Sequence, residues 1–150
     1  MTPTAAILII GNEVLSAQLA DENGPFLLGR LRELGVRVQS LTVVADRFDD
    51  IVEAVDRERR RATWVFTSGG IGPTHDDLTV PAIAAALGRR LVRSPEFADA
   101  IRGAHAHFTG GAPMPDAALR MADVPEGTRL IGEGFPLAVA ENVVMLPGVP

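Results

Sequence analysis

The chain of 150 residues carries a formal net charge of −5 and contains no cysteine. Its length, with 47% apolar and 22% charged residues, is typical of one compact globular domain. The acidic balance argues against a nonspecific nucleic-acid binder, and the lack of cysteine excludes disulfides, zinc–thiolate sites and thiol nucleophiles. No apolar run reaches membrane-spanning length and the first residues carry no basic region, so we expect a cytoplasmic protein with neither a membrane nor a nucleic-acid partner.

The first half of the chain alternates between short apolar runs and helical patterns. Residues 5–10 and 36–44 are predicted strands, and residues 14–20 are expected to form a loop or a short turn. Residues 21–34 and 49–61 have the spacing of amphipathic helices. The predicted apolar stripe of the first helix consists of Leu27, Leu31 and Leu34. Arginines crowd the last turn of the second helix, where they complement the helix dipole and form a solvated face.

The central stretch, residues 63–88, is predicted to run from a buried strand through a glycine-rich loop into a helix. The strand contains an unbroken apolar run at 64–66, and the loop contains three glycines, one proline and two adjacent aspartates. Thr79 is predicted to be the N-cap of the helix and Gly88 to end it. Glycines let backbone N–H groups approach a ligand and a helix start adds positive partial charge, so this stretch suits an anion.

Two interpretations of this loop remain open. A tight strand-to-helix crossover would also explain three glycines, and their spacing matches neither Gly-x-Gly-x-x-Gly nor a P-loop. The adjacent Asp76 and Asp77 favour a functional site, because carboxylates beside a bound phosphate require a cation or donor groups between them. If the backbone cradles a phosphate, at least one of Gly69, Gly70 and Gly72 should have positive φ or approach closely only because it lacks a Cβ.

Acidic residues also follow the first two predicted strands. Glu13 follows the first strand and Asp46 the second, at carboxyl ends where open α/β sheets bind ligands. Glu13 could equally be an exposed turn acid, and Asp46 a helix-entry residue. Because parallel strands end at one edge of a sheet, we predict that Asp46 and Asp77 face one shared cleft beside the loop. His105 and His107 are two positions apart and do not share a helix face, so we expect no metal site there.

The last third of the chain is predicted to hold shorter elements. Residues 89–92 form a short strand, and a helix runs from its N-cap Ser94 to Phe108. The remaining elements are one or two helical turns at 116–121, a turn at 125–127, and strands at 128–131, 137–140 and 143–146, the last two joined as a hairpin. The whole pattern predicts an α/β fold: a doubly wound, mainly parallel sheet with helices on both faces and a mixed C-terminal edge.

The glycine-rich loop resembles that of a known family. Its sequence is Ser68-Gly69-Gly70-Ile71-Gly72-Pro73-Thr74-His75-Asp76-Asp77-Leu78-Thr79. It is similar to the signature loop of the molybdopterin-binding domain family, which includes MogA- and MoaB-like proteins, the N-terminal domains of CinA-like competence/damage-inducible proteins, and certain FAD synthases. Gly-Pro-Thr-x-Asp-Asp is most similar to the CinA-like branch. With the motifs at 11–13, 45–46 and 146–150, the resemblance covers nearly the whole chain, as a single domain.

The resemblance implies roles for individual residues. Those implied to hold the phosphate of a pterin or nucleotide, or to close the far side of the pocket, are Ser68, Gly69, Gly70, Gly72, Pro73, Thr74, Pro147 and Gly148. Asp77 matches an acid implicated in adenylyl transfer or metal binding, and Asp46 matches the other acid facing that site. Asp46 and Asp77 are therefore the implied catalytic residues. The implied metal ligands are Asp46, Asp76, Asp77 and Glu13.

The chain departs from the family pattern in three places. Asn12 stands where CinA-like proteins often have aspartate, so one carboxylate is missing. Asp76 stands where the MogA-like branch often has arginine, which weakens the case for adenylation of molybdopterin. The family usually continues past the motif at 146–150 into another helix, so we expect residues 1–150 to be a domain trimmed at its C-terminus.

Three functions are consistent with the resemblance. The first is a binding module for molybdopterin or a related phosphate-bearing pterin or nucleotide. The alternative is a pyrophosphatase acting on ADP-ribose-like nucleotides, with Mg²⁺ or another divalent cation polarising the pyrophosphate. The third is an oligomerisation scaffold for a missing domain. Relatives assemble as trimers or dimers, so the resemblance implies a homo-oligomer.

Overall fold

The computed structural model describes residues 1–148 and is built around a six-stranded sheet. The strands are β1 (Thr4–Ile10), β2 (Arg37–Val44), β3 (Trp64–Ser68), β4 (Leu91–Arg93), β5 (Asp123–Pro125), β6 (Arg129–Ile131), β7 (Leu137–Ala140) and β8 (Val143–Leu146). The helices are α1 (Asn12–Leu15), α2 (Asn23–Glu33), α3 (Phe48–Arg61), α4 (Thr79–Leu87) and α5 (Pro95–Thr109), with a 3₁₀ helix over Asp116–Ala122.

The large sheet has the strand order β2-β1-β3-β8-β7-β6. Strands β2, β1, β3 and β8 run parallel, whereas β7 pairs antiparallel with both β8 and β6. The predicted α/β class, with a mainly parallel sheet and a mixed C-terminal edge, is therefore confirmed. Strands β4 and β5 form a separate antiparallel pair. Strand β8, the last strand among the described residues, therefore lies in the middle of the sheet between β3 and β7.

Strand β1 is buried on both faces, as its unbroken apolar sequence predicts. Leu8 and Ile10 point into the larger core, which also contains buried residues of α3, α4 and α5. Ile7 and Ile9 point the other way, into a smaller cluster with Leu31 of α2. Helices therefore cover both faces of the sheet, and the strand ends are left as the accessible edge.

Some predicted boundaries differ from the observed ones. The predicted loop at 14–20 is preceded and partly replaced by the single turn α1. Helix α2 begins at Asn23, because the Asp21 carboxylate accepts a backbone N–H three residues later, at 2.8 Å, and so lies ahead of the helix. Leu34 is 68% exposed beyond the end of α2, so its assignment to the apolar stripe is wrong. Strand β5 was not predicted, since its residues follow the predicted helical turns at 116–121 and run into the predicted turn at 125–127.

Helix α5 begins as predicted. The Ser94 hydroxyl accepts the backbone N–H of Phe97 at 3.1 Å, and Pro95 occupies the first helical position, where a missing N–H costs nothing. In the part of the chain that the structure describes, none of the helices combines the length and the hydropathy needed to span a bilayer.

Candidate functional site

Four parallel strands end at the same edge of the sheet. The sequences that follow these strands are Gly11-Asn12-Glu13 after β1, Ala45-Asp46 after β2, Gly69-Gly70 after β3 and Pro147-Gly148 after β8. Each was a candidate site segment in the sequence, and the topology brings all four together. The carboxyl edge of an open parallel sheet is where such folds bind ligands.

Asn12 and Asp46 join the ends of β1 and β2. The Asn12 backbone N–H donates to Asp46 Oδ2 at 3.1 Å, and the Asp46 backbone N–H donates to Asn12 Oδ1 at 3.0 Å. The Gly11 N–H also donates to Val44 O at 3.0 Å. This reciprocal pair of hydrogen bonds orients the Asp46 side chain towards the end of β1. Asp46 therefore does more than lead into the following helix.

Two glycines of the loop adopt left-handed backbone conformations. Gly69 has φ of +103° and Gly70 has φ of +70°, which confirms that at least one loop glycine has positive φ. A Cβ on Gly69 would lie 2.2 Å from Ile10 O, and a Cβ on Gly70 would lie 2.2 Å from Thr79 Oγ1. Both glycines are thus required by the close packing of the loop on the chain itself, whatever ligand it holds.

Thr79 fastens the loop to α4 rather than capping that helix. It is the first helical residue, Leu78 occupies the N-cap, and the predicted capping role is wrong. The fully buried Thr79 hydroxyl donates to Gly69 O at 2.8 Å, while its backbone N–H donates to Gly70 O at 3.1 Å. The hydroxyl satisfies a buried carbonyl that the sharp turn leaves without a strand partner.

Asp77 closes the far half of the loop. Its Oδ2 accepts the Thr74 backbone N–H at 2.9 Å and the Thr74 hydroxyl at 2.7 Å. The Asp77 N–H donates back to Thr74 O at 3.2 Å. Asp77 therefore points at the loop, next to Gly72, where an added Cβ would lie 2.8 Å from Asp77 Oδ2. The neighbouring Asp76 is exposed.

Asn23 forms a second network that the sequence analysis missed. Its Nδ2 donates to Ser68 Oγ at 2.9 Å and to Gly148 O at 3.1 Å, and Ser68 Oγ donates to Pro147 O at 3.3 Å. These contacts tie α2 to the ends of β3 and β8. They join residues 45 and 125 positions apart, so no local sequence signal could have shown them. Val149 and Pro150, the end of the predicted pocket-closing motif, lie outside the described residues.

A hollow of about 420 Å³ at this edge is lined by Asn23, Ser68 and Pro147 among others, and two smaller hollows contain the candidate acids or loop residues. One, of about 240 Å³, is lined by the residues Gly70, Ile71, Gly72, Thr74, His75, Asp77, Leu78, Val80, Pro81, Leu91, Arg120, Met121 and Asp123. The other, of about 230 Å³, is lined by Glu13, Ser68 and Gly148 among others. Glu13 and Asp77 therefore line different hollows, and Asp46 lines neither of them. That Asp46 and Asp77 face one shared cleft stays a prediction.

The implied metal ligands do not form a ready metal site. Within residues 1–148, no three His, Asp or Glu side chains are grouped closely enough to hold a metal ion. Asp46 is hydrogen-bonded to Asn12, Asp77 is hydrogen-bonded to Thr74, and Asp76 is exposed. The arrangement of Asp46, Asp76, Asp77 and Glu13 as one metal centre is not supported, and we place no cation in the site.

The loop offers free donors. The backbone N–H groups of Gly70, Ile71 and Gly72 make no hydrogen bond to another described residue. All three residues line the hollow of about 240 Å³. Successive N–H groups next to a left-handed residue form a concave surface that binds anions. Gly70 and Gly72 are among the residues that the sequence indicated, whereas Ile71 is not.

These features define an α/β ligand-binding domain whose glycine-rich loop and acidic residues stand at the carboxyl edge of a parallel sheet. The chain belongs to the family described as "Probable molybdopterin binding domain", whose sequence profile matches residues 6–150.

The curated relatives are longer proteins. A CinA-like protein from Anaeromyxobacter dehalogenans is 40% identical over 151 residues, which cover 96% of this chain and 36% of the relative. A "Probable FAD synthase" from Caenorhabditis elegans is 35% identical over 167 residues, which cover 98% of this chain and 32% of the relative. A protein from Aeropyrum pernix is 37% identical over 155 residues, and 57% of its length is covered. The chain thus spans about one third to somewhat over half the length of these relatives.

Solved structures show the same fold. CinA from Thermoplasma acidophilum, described as a protein with unknown function, has a TM-score of 0.84 and 31% identity, covering 99% of this chain and 90% of that one. The tungsten cofactor synthesizing protein MoaB from Pyrococcus furiosus has a TM-score of 0.61 and 19% identity, covering 99% and 83%. The second likeness concerns the fold alone.

Proposed function

We propose that this domain binds molybdopterin or a related phosphate-bearing pterin or nucleotide, with the phosphate against the loop Gly70–Gly72. The observation that carries the proposal is a row of three residues that line one hollow and whose backbone N–H groups have no described partner. Membership of a molybdopterin-binding family supports the ligand class. Two relatives of the chain are named a CinA-like protein and a probable FAD synthase, and the second name supports including a nucleotide among the candidate ligands.

The loop is preorganised for such a ligand. Gly69 and Gly70 hold left-handed conformations, Thr79 fixes their carbonyls, and Asp77 fixes Thr74. A binding surface that is already fixed loses little conformational freedom when the ligand arrives. Charge-assisted hydrogen bonds from backbone N–H groups to phosphate oxygens are stronger than neutral ones, so three free donors suffice to position the group.

Each of the two aspartates has one carboxylate oxygen left to accept hydrogen bonds from the rest of the ligand. Asp46 uses Oδ2 towards Asn12 and Asp77 uses Oδ2 towards Thr74, and neither Oδ1 has a hydrogen-bond partner among the described residues. A carboxylate oxygen accepts N–H or O–H donors, which pterins, purines and riboses all present. We propose that Asp46 and Asp77 contact such donors and are the acids of any reaction at this site.

A ligand panel tests the proposal. Backbone amide shifts of Gly70, Ile71 and Gly72 are followed by NMR while molybdopterin, ADP-ribose, FAD or ATP is added, each beside a control without phosphate. At least one phosphate compound should shift these amides and raise the melting temperature, whereas adenosine and riboflavin should not. Equal responses to ATP and adenosine, or no response of the three amides to any compound, would contradict it. Gly70→Val is unsuitable as the test, because its Cβ would collide with Thr79.

The same samples examine the enzymatic alternative. AMP release from ADP-ribose is measured with and without Mg²⁺, using Asp46→Asn and Asp77→Asn beside the unaltered protein. Metal-dependent AMP release that both variants lose would show a pyrophosphatase that assembles its metal site only with substrate. Binding without release would leave the domain as a binding module.

A further inference from the structure

The hollow beside the loop contains a cationic side chain that no sequence motif indicated. Arg120 lies in the 3₁₀ helix Asp116–Ala122 and lines the same hollow of about 240 Å³ as Gly70 and Gly72. The 3₁₀ helix is held there by its neighbours: the Asp123 N–H donates to Arg120 O, and the Ser94 N–H donates to Ala122 O at 2.8 Å.

We infer that Arg120 binds the ligand's phosphate from the side opposite the Gly70–Gly72 N–H groups, an inference that rests on the proposed function of the loop. A guanidinium group presents paired N–H donors that match two phosphate oxygens, and it remains charged at any physiological pH. The N–H groups of the loop would hold the remaining oxygens. The ligand class is therefore a phosphate monoester or a pyrophosphate, carrying more than one negative charge.

The charges around the hollow favour this role for Arg120. Two carboxylates line it, Asp77 and Asp123. Asp123 is neutralised by Arg93, whose Nε and Nη2 donate to its two oxygens at 2.6 and 3.3 Å. These hydrogen bonds also raise the pKa of Arg93 above its ordinary value. Among the residues that the structure describes, Asp77 is the acid of the hollow without a cationic partner, and Arg120 supplies the offsetting charge that a bound phosphate needs.

Arg120 is also free to take a ligand. It is exposed and forms no ion pair with another residue between 1 and 148, whereas most arginines of this chain pair with an acid. Within residues 1–148, no ion pair or side-chain hydrogen bond of Arg120 has to be broken before it reaches a phosphate. An exposed side chain can also be replaced without disturbing the core, so its contribution to binding can be measured separately from stability.

The test uses inorganic pyrophosphate as the probe, titrated calorimetrically at low salt. Arg120→Gln removes the charge and the paired donors, and Arg120→Lys keeps only the charge. Arg32→Gln is the matched control, since it removes one positive charge from an exposed residue of α2 that does not line the hollow. We expect Arg120→Gln to weaken pyrophosphate binding by about tenfold or more and Arg120→Lys by less, with Arg32→Gln close to the unaltered protein.

The outcomes separate this inference from the function on which it rests. If Arg120→Gln binds pyrophosphate as tightly as Arg32→Gln while the Gly70–Gly72 amides still shift, the role of Arg120 is overturned and the loop proposal stands. If pyrophosphate does not bind the unaltered protein at all, the role of Arg120 is overturned too, and the ligand panel alone decides the proposed function. Amide spectra of each variant confirm that its fold is intact.

Discussion

Asp77 illustrates how one carboxylate serves both the fold and the candidate site. One oxygen, Oδ2, holds Thr74 through two hydrogen bonds, and the other has no hydrogen-bond partner among residues 1–148. Asp77→Asn keeps an acceptor oxygen and removes the charge. We expect it to cost about 1 kcal/mol or less in the free energy of unfolding and to tighten pyrophosphate binding, because a repelling charge is lost. Urea unfolding and calorimetry on the same variant measure both quantities.

Asp77→Ala is the companion change. It removes the acceptor as well as the charge, so the Thr74 N–H loses its partner and we expect about 1–2 kcal/mol of destabilisation. If Asp77→Asn instead weakens pyrophosphate binding, and does so only when Mg²⁺ is present, the carboxylate acts through a cation. The prediction that the loop binds the anion without a cation would then be wrong.

At the scale of the elements, the hydroxyl of Thr79 joins the end of β3 to the start of α4. Thr79→Val keeps the shape of the side chain and removes the hydroxyl, leaving Gly69 O buried without a donor. We expect a loss of about 1–3 kcal/mol in the free energy of unfolding, since a buried unpaired carbonyl bears its full desolvation cost. Chemical denaturation followed by circular dichroism provides the measurement.

Thr79→Ser is the control for that change, because it retains the hydroxyl and loses only a methyl group. It should remain within about 1–2 kcal/mol of the unaltered protein and should bind ligand normally. If Thr79→Val is as stable as the unaltered protein, the Gly69 carbonyl accepts a hydrogen bond from water instead, and Thr79 does not fix the loop.

An ion pair sensitive to acid joins the residue before β4 to the residue after β5. Arg90 Nε and Nη2 donate to the two Glu126 oxygens at 3.1 and 3.2 Å, and these bonds lower the pKa of Glu126 below its usual 4.5. A lowered folded-state pKa stabilises the fold above the unfolded pKa, and that stability is lost as pH falls through the folded pKa. Glu126→Gln should therefore lower the melting temperature slightly at about pH 7, and the difference should shrink as the pH falls through the lowered pKa of Glu126. A difference that grows with acidity would contradict it.

The site elements could be predicted to different degrees. The strand ends carrying Asp46 and Gly69 were recognisable, because buried parallel strands have unbroken apolar sequences and glycines mark the turns. The contacts of Asn23 and Arg120 were not, since each reaches the site only through tertiary packing across many residues. Thr79 was misassigned because a threonine at a helix start fits an N-cap equally well, and only the buried carbonyl beside it decides.

For the whole molecule, self-association remains a prediction from the family resemblance. The expected mass in solution is two or three times that of the chain, because closed symmetric oligomers are the common assemblies of soluble proteins. Light scattering coupled to size exclusion, at a concentration of about 100 μM, measures it. A monomer mass across the concentration range would contradict the predicted oligomer, and with it the scaffold function, for residues 1–150.

Stability of the whole molecule depends on β8, a central strand of the large sheet. Strand β8 lies between β3 and β7, and its Met145 is 2% exposed, paired with Thr67 on one side and Ala138 on the other. Met145→Ala should cost about 2–5 kcal/mol, because it removes buried contacts and leaves a cavity. Leu34→Ala is the matched control, since Leu34 is 68% exposed and its truncation should change little.

The position of β8 also predicts how the molecule unfolds. Trp64, the single tryptophan, lies on β3, the strand that β8 pairs with from Val65 onward, so its fluorescence reports on the middle of the sheet. If β8 is integral to one core, urea transitions followed by tryptophan fluorescence and by far-UV circular dichroism should coincide, and Met145→Ala should shift both together. Fluorescence changing at lower urea than circular dichroism would mean that the C-terminal hairpin opens first. In that case the Ser68–Pro147 contact would be lost before the parallel strands separate, and the site would open ahead of the fold.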